Sequence, residues 1–130
     1  MKLMNLVVVA AIGGLLACSQ SSAAEKEPAK APAVAAIRAA RIVFIDKEKP
    51  CACTQKKIDA SWAALQAGIA SAKLPVERIH FDTQSAQAQP YQSKRPVMAL
   101  PALYFLDSKG EVLEMLQGEV TEAQVRGAMK

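Results

Sequence analysis

Two cysteines, Cys51 and Cys53, stand one residue apart between two segments of different character. The segment before them, Arg41–Asp46, is a short apolar run with β-branched residues, which is typical of a strand buried on both faces. In the segment after them, residues 54–70, apolar side chains recur every three or four positions and predict one face of a helix, with Trp62 as a core anchor. The sequence therefore places both thiols at a strand-to-helix junction, where the helix N-terminus and nearby lysines favour a thiolate.

The rest of the chain predicts a small α/β domain. Pro75 ends the helical pattern, and the run that follows predicts a second strand, parallel to the first because a helix lies between them. A tight turn at residues 107–110 joins two apolar runs into an antiparallel hairpin. The elements expected after the first helix are, in chain order, a strand at residues 76–82, a short helix at about residues 85–94, hairpin strands at residues 101–106 and 111–116, and a final helix capped by Thr121 and running to Met129.

The chain begins with a pattern typical of an export signal. A positively charged start precedes an apolar stretch at residues 3–16, which is too short to span a bilayer. Residues 15–18, Leu-Leu-Ala-Cys, resemble the lipobox of bacterial lipoproteins, which implies cleavage before Cys18, its acylation by fatty acids such as palmitate, and a membrane anchor. Ser19 favours the outer membrane. We therefore expect a signal peptide at residues 1–17, a lipidated tether at residues 18–38 and a domain at residues 39–130, held in the cell envelope and facing the periplasm.

The order of strand, helix, strand, connection, hairpin and helix resembles the thioredoxin fold over about residues 40–130. The segment ALPALYFLDSKGEV, at residues 99–112, is similar to that family's apolar residue, cis-proline, hydrophobic strand, glycine turn and second hairpin strand. The resemblance implies an α/β fold with a central mixed sheet of about four strands flanked by helices. It also implies that Pro101 is cis and faces the cysteine pair, and that Leu100 contacts a bound peptide or thiol.

The cysteine pair departs from the family pattern, which usually has two residues between its cysteines, whereas Ala52 alone separates them here. We align Cys51 with the attacking cysteine because it then stands at the exposed helix start. Thr54 falls where the resolving cysteine would be, and Cys53 one residue earlier. Residues i and i+2 point to nearly opposite sides of a helix, so the thiols can bridge only if Cys51 lies outside the regular turn. Asp46 lies near the position of the family's buried carboxylate but out of register.

The resemblance implies an exported thiol–disulfide oxidoreductase or isomerase without a cofactor, in which Cys51 attacks a substrate disulfide and Cys53 releases the product. Two alternatives stay open. The same thiols suit a soft ion such as Cu(I), with Met98 as a further sulfur ligand. A non-catalytic module that keeps the fold would also tolerate the irregular spacing. His80, in the middle of a predicted strand, is expected to be structural rather than a zinc ligand.

Charge and composition give no support to nucleic-acid binding. The formal charge of +4 comes from 16 basic and 12 acidic residues mixed along the chain. There is no basic run interleaved with aromatic residues. The expected partners are exported proteins with thiols or disulfides, and the membrane that holds the lipid anchor.

Overall fold

The structure, a computed structural model, describes residues 36–130. The elements are β1 (Arg41–Asp46), α1 (Ala52–Ile69), β2 (Val76–His80), α2 (Ser85–Lys94), β3 (Ala102–Leu106), β4 (Val112–Gln117) and α3 (Glu122–Ala128). Their order is the one expected from the sequence. Two boundaries differ by two residues: α1 begins at Ala52 rather than at residue 54, and β2 ends at His80 rather than at residue 82. The other boundaries lie within one residue of those expected. The chain turns after His80, whose carbonyl accepts hydrogen bonds from the amides of Thr83 and Gln84.

The strands form one mixed sheet in the order β2-β1-β3-β4. β1 pairs in parallel with β2 and antiparallel with β3, and β3 pairs antiparallel with β4. The parallel pairing follows from α1, which carries the chain back along the sheet between β1 and β2. The expected α/β fold, a mixed sheet of four strands flanked by helices, is confirmed for the described residues. As a result, the carboxyl ends of β1 and β2 meet at the same edge of the sheet.

Helices cover both faces of this sheet. Ile42 and Phe44 of β1 belong to one apolar cluster, together with side chains of α1 and α3. Val43 and Ile45 belong to a second cluster, together with Ala88 of α2. Because alternate residues of a strand point to opposite faces, burial on both faces accounts for the continuous apolar run in β1.

Trp62 packs at the edge of the first cluster. Its ring meets that of Phe44 edge-on, with centroids 5.0 Å apart and planes at 79°. The guanidinium carbon of Arg78 lies 5.0 Å from the Trp62 ring centroid, within the range of a cation–π contact. Trp62 therefore packs against the core, as its helical position predicts, and it remains half-buried rather than fully enclosed.

The two helices on one face, α1 and α3, approach closely where Gly68 meets Val125. A Cβ atom at position 68 would lie 2.7 Å from Cγ1 of Val125, so only glycine fits without movement. α3 begins with a capping box, in which Thr121 accepts from the amide of Gln124 and the Gln124 side chain accepts from the amide of Thr121. The predicted N-cap at Thr121 is confirmed.

The predicted signal peptide, Cys18 and most of the predicted tether lie outside the described residues. Within residues 36–130, none of the helices combines the length and the apolar character needed to cross a lipid bilayer. At the start of this part of the chain, the amides of Arg38 and Ala39 both donate to the carbonyl of Met129, at 2.7 and 3.1 Å. These bonds tie the segment before β1 to the end of α3.

Candidate functional site

Cys51 is the N-cap residue of α1. Its backbone is extended, with φ −67° and ψ 160°, and the regular helix begins at Ala52. A loop at residues 47–50 connects it to the end of β1. Cys51 therefore lies outside the first turn, which is the condition under which its side chain can approach that of Cys53. Both cysteines are free and exposed.

The sulfur of Cys51 has two close polar neighbours. Its Sγ atom lies 2.9 Å from Sγ of Cys53 and 3.1 Å from Oγ1 of Thr54. Hydrogen bonds from the Cys53 thiol, the Thr54 hydroxyl and the Thr54 backbone amide lower the pKa of Cys51 from its ordinary value of 9.0 to about 6. Cys51 is therefore mainly a thiolate at neutral pH, and that is the nucleophilic form of a cysteine.

The cause of this low pKa differs in part from the one expected. The helix N-terminus contributes, since backbone amides of Cys53 and Thr54 both act on the thiolate. The flanking lysines, expected to contribute as cations, are not among the causes. Thr54, predicted only to stand where a resolving cysteine would be, instead supplies one of the hydrogen bonds that lower the pKa of Cys51.

The loop before Cys51 is held by Asp82, two residues beyond the end of β2. Oδ1 of Asp82 accepts from the amide of Glu48 at 2.9 Å, and Oδ2 accepts from the amide of Lys49 at 3.1 Å. The Glu48 amide is the main cause that keeps the pKa of Asp82 below its ordinary value. Sequence reasoning did not single out Asp82. Its position just after β2 could have indicated this contact, because β1 and β2 are parallel and their carboxyl ends lie at the same edge of the sheet.

The segment before β3 is fixed by Gln117 at the end of β4. Its Oε1 atom accepts from the amides of Met98 and Ala99, at 2.6 and 3.0 Å. The Leu100–Pro101 peptide bond is cis, as the resemblance to thioredoxins implies. The Pro101 carbonyl accepts from the amide of Gly118, the residue after Gln117, at 2.8 Å. Gln117 was not identified from the sequence, because nothing in its local pattern points to a contact across the hairpin.

A groove of about 480 Å³ lies beside Cys51. Its lining includes Lys47, Lys49, Cys51, Phe81, Met98 and Leu100. The structure thus brings together three residues singled out in the sequence, Cys51, Met98 and Leu100. Cys53 and Pro101 are not among the lining residues, and Cys53 is adjacent to the groove through its contact with Cys51.

The end of β1 carries a buried carboxylate. Asp46 is fully buried, and its oxygens bond to Nε of Arg78 at 2.8 Å and Nδ1 of His80 at 2.6 Å. Within the described part of the chain, no hydrogen bond joins Asp46 to either cysteine. His80 takes part in this hydrogen-bonded cluster, which is the structural role expected of it. Asp46 holds β1 to β2 here.

The metal-binding alternative depends on which side chains lie around the two thiols. Among residues 36–130, no three or more His, Cys, Asp and Glu side chains are grouped so that they could hold a metal ion. Met98, the thioether considered for Cu(I), is 85% exposed and lines the groove beside Cys51.

Comparisons with known proteins add little to the geometry. No protein-family model matches the chain, and no curated protein matches it. Among solved structures, the chain is similar to a thioredoxin of Malassezia sympodialis, Mala s 13, with 19% sequence identity and a TM-score of 0.49. The similarity covers 72% of this chain and 78% of that one.

The class of the domain follows from its own topology. A parallel β1–α1–β2 unit joined to the antiparallel β3–β4 hairpin and α3, with the cis Pro101 opening the hairpin, is a thioredoxin-like fold. The exposed cysteine pair stands at the β1–α1 junction of this fold.

Proposed function

We propose that this domain carries out thiol–disulfide exchange, with Cys51 as the attacking cysteine and Cys53 as the resolving one. The observation that carries the proposal is the position of Cys51, which is exposed at the N-cap of α1 with the Cys53 sulfur 2.9 Å away. The low pKa of Cys51 supports the same assignment, since the thiolate is present at neutral pH.

The exchange proceeds in two balanced steps. In the first, the Cys51 thiolate attacks one sulfur of a substrate disulfide and forms a mixed disulfide, while the other substrate sulfur leaves as a thiolate and takes up a proton. In the second, Cys53 loses its proton and attacks the Cys51 sulfur. This step releases the remaining substrate thiolate and leaves a Cys51–Cys53 disulfide. The domain loses two electrons and the substrate disulfide gains them, so a dithiol reductant must restore the starting state.

Residues around the thiols have supporting roles in this proposal. Thr54 donates to the Cys51 sulfur and keeps it a thiolate. Leu100 lines the groove beside Cys51 and would contact the substrate. The carbonyl of Pro101, the residue after Leu100, accepts from the amide of Gly118 at 2.8 Å, which ties this segment to the end of β4.

Mixed-disulfide trapping with the purified full chain tests the proposal. In a chain whose Cys18 is replaced by Ser, Cys53→Ala should hold a peptide disulfide on Cys51, because no other thiol remains to release it. Cys51→Ala should trap much less peptide on Cys53. Reaction at alkaline pH keeps Cys51 ionised in Cys53→Ala, which lacks one of the hydrogen bonds that lower its pKa. If the fast-reacting thiol survives in Cys51→Ala, the roles are reversed, and if neither variant traps peptide, exchange is refuted and a non-catalytic module remains.

One observation favours a second candidate, Cu(I) binding: the exposed Met98 thioether lines the same groove as Cys51. Soft thiolate and thioether sulfurs select Cu(I). An anaerobic Cu(I) titration tests it. Stoichiometric copper that is lost in either cysteine variant and weakened in Met98→Leu supports the site. Met115→Leu, a methionine packed against the second apolar cluster, is the control. Equal affinity in both methionine variants would exclude Met98 as a ligand.

We also propose that the domain works outside the cytoplasm, anchored by lipid on Cys18. The Leu-Leu-Ala-Cys sequence after an apolar stretch supports this proposal. An oxidising compartment also suits thiol–disulfide exchange. Its partners would then be exported proteins with thiols or disulfides.

A further inference from the structure

The groove beside Cys51 is lined by two chemically different sets of residues. Lys47 and Lys49 come from the loop that leads into Cys51, whereas the apolar side consists of Phe81 after β2 and of Met98 and Leu100 before β3. The volume of the groove, about 480 Å³, is in the range of ligand-binding clefts. A group that binds in this groove beside Cys51 therefore meets both ammonium groups and apolar side chains.

The charge of the two lysines is not balanced by neighbouring carboxylates. Within residues 36–130, neither lysine forms an ion pair, whereas several other basic residues do. Those pairs involve Arg41, Arg78, Lys94, Arg95 and Arg126.

Two acidic residues lie close to the lysines in the fold. Glu48 is exposed between them but does not line the groove. The carboxylate of Asp82 points to the loop backbone, where it accepts from the amides of Glu48 and Lys49, and it does not line the groove. Among the lining residues, two ammonium groups therefore face one thiolate, that of Cys51.

The apolar side includes an unusually exposed residue. Met98 is 85% exposed, and it is one of two large apolar side chains left in solvent within the described part of the chain. A methionine side chain is flexible and polarizable, so it can pack against apolar groups of different shape. Its backbone is fixed by Gln117, which leaves the side chain free at the mouth of the groove.

We propose that the groove binds an extended peptide segment of a protein substrate that carries a carboxylate beside its reacting cysteine and an apolar side chain on the opposite side. This inference rests on the proposed function for its chemistry. Charge complementarity argues for this occupant: a carboxylate that lies along the loop at residues 47–49 meets two ammonium groups, and only one thiolate, that of Cys51, opposes it among the lining residues. The apolar side argues for a peptide rather than a small anionic thiol, since only a peptide offers a second side chain to cover Met98.

The lysines act on the approach of the substrate and leave the electron balance unchanged. The Cys51 thiolate still forms the mixed disulfide, and the leaving thiolate still departs with its electron pair. Attraction of an acidic segment raises the rate of encounter with the thiolate, and salt should weaken this effect.

The test uses short peptides in which one cysteine is joined to pyridine-2-thiol as a disulfide. Attack by Cys51 on the peptide sulfur releases neutral pyridine-2-thione, which is followed by its absorbance. Peptides flanked by Glu, Gln or Lys, each with one Leu, differ only in charge. We expect the Glu peptide to react about tenfold faster than the Lys peptide at low salt, with the difference shrinking as salt is added.

Matched double variants of the full chain locate the effect. Lys47→Gln with Lys49→Gln should abolish the preference for the Glu peptide. Lys56 and Lys57 are in α1 and do not line the groove, so Lys56→Gln with Lys57→Gln removes the same charge but should keep the preference for the Glu peptide. Met98→Ala should slow peptides that contain Leu but not matched peptides with Gly in its place. The rate with uncharged iodoacetamide should be the same in all variants.

The outcomes separate this inference from the proposed function. Pyridine-2-thione release without any charge preference, or a preference that survives Lys47→Gln with Lys49→Gln, overturns the inference and leaves thiol exchange standing. If Lys47 and Lys49 accelerate the reaction of the pyridyl disulfide of glutathione, a small anionic thiol, as much as that of the Glu peptide, the choice of a protein segment as the occupant is overturned. No release from any peptide refutes the exchange itself. Binding of a Glu peptide with Ser in place of Cys, followed by amide NMR shifts at residues 47–49 and 97–100, should then still be seen if the groove assignment is right.

Discussion

The Thr54 hydroxyl oxygen lies 3.1 Å from the Cys51 sulfur, at the position where the more usual spacing would place a second cysteine. The shorter spacing puts Cys53 one residue earlier, with its sulfur 2.9 Å from the same atom. The Cys51 sulfur thus has two side-chain neighbours that can donate to it, the Cys53 thiol and the Thr54 hydroxyl. With the usual spacing, the second cysteine would stand at position 54 in place of the threonine. This relationship links the irregular cysteine spacing to the low pKa of Cys51.

Removal of the Thr54 hydroxyl should raise the pKa of Cys51. In Thr54→Val the thiolate loses one hydrogen bond, so the midpoint of the iodoacetamide rate against pH should move above the value of about 6 in the native chain. Thr54→Ser keeps a hydroxyl and should stay near the native midpoint. Cys53→Ala removes the largest cause and should move the midpoint further than Thr54→Val. An unchanged midpoint in Cys53→Ala would contradict the hydrogen-bond account.

The hold of Asp82 on the loop before Cys51 should depend on pH. Because the folded-state pKa of Asp82 is lowered, its carboxylate stabilises the fold above the unfolded pKa, and this contribution is lost as pH falls through the folded value. The difference in unfolding free energy between the native chain and Asp82→Asn should therefore be constant above about pH 5 and shrink below about pH 4. Urea unfolding at a series of pH values measures it, and a difference that grows in acid would contradict the contact.

Local pattern was enough to predict the framework. The bounds of β1 follow from a continuous apolar run, and the Thr121 cap follows from the Gln124 that completes its box. Each of these signals lies within a few residues of the element that it predicts. The same is true of the cysteine pair, whose position at a helix start is a local property.

The contacts that shape the site could not be predicted in this way. Asp82 reaches Glu48 across 34 residues, and Gln117 reaches Met98 across 19. Both are bonds from a side chain to a distant backbone amide, which leave no periodicity in the sequence. The roles of Cys51, Cys53, Leu100 and Pro101 in substrate exchange stay predictions.

Loss of the Gln117 carboxamide should separate substrate binding from thiol reactivity. Gln117→Leu frees the amides of Met98 and Ala99 and loosens the segment that carries Leu100. Single-turnover exchange with a peptide disulfide should fall by about tenfold, since a small misplacement at a site is costly. The iodoacetamide rate of Cys51 should not change. Gln117→Glu keeps the acceptor oxygens and should lose less, so an equal loss in both variants would count against the amide contacts.

The close approach of α1 and α3 predicts a strong effect at a position far from the thiols. Gly68→Ala places Cβ 2.7 Å from Val125 Cγ1 and should destabilise the domain by about 1–3 kcal/mol. Gly127→Ala is the control, because a Cβ atom there meets nothing within 4 Å and alanine favours the helix by up to about 1 kcal/mol. Denaturant unfolding compares the two. Equal stability of both variants would show that the helices can separate without cost.

The predicted lipid anchor has a direct mass signature. In a bacterial host that processes lipoproteins, the full chain should be cleaved before Cys18 and carry fatty acids on that residue, because Leu-Leu-Ala-Cys follows an apolar stretch. Intact mass spectrometry of the detergent-extracted protein measures both changes. Cys18→Ser should remain unacylated, while Cys51→Ser and Cys53→Ser should keep the acyl mass. A native mass that matches an unmodified chain, or cleavage at another residue, would rule out the anchor.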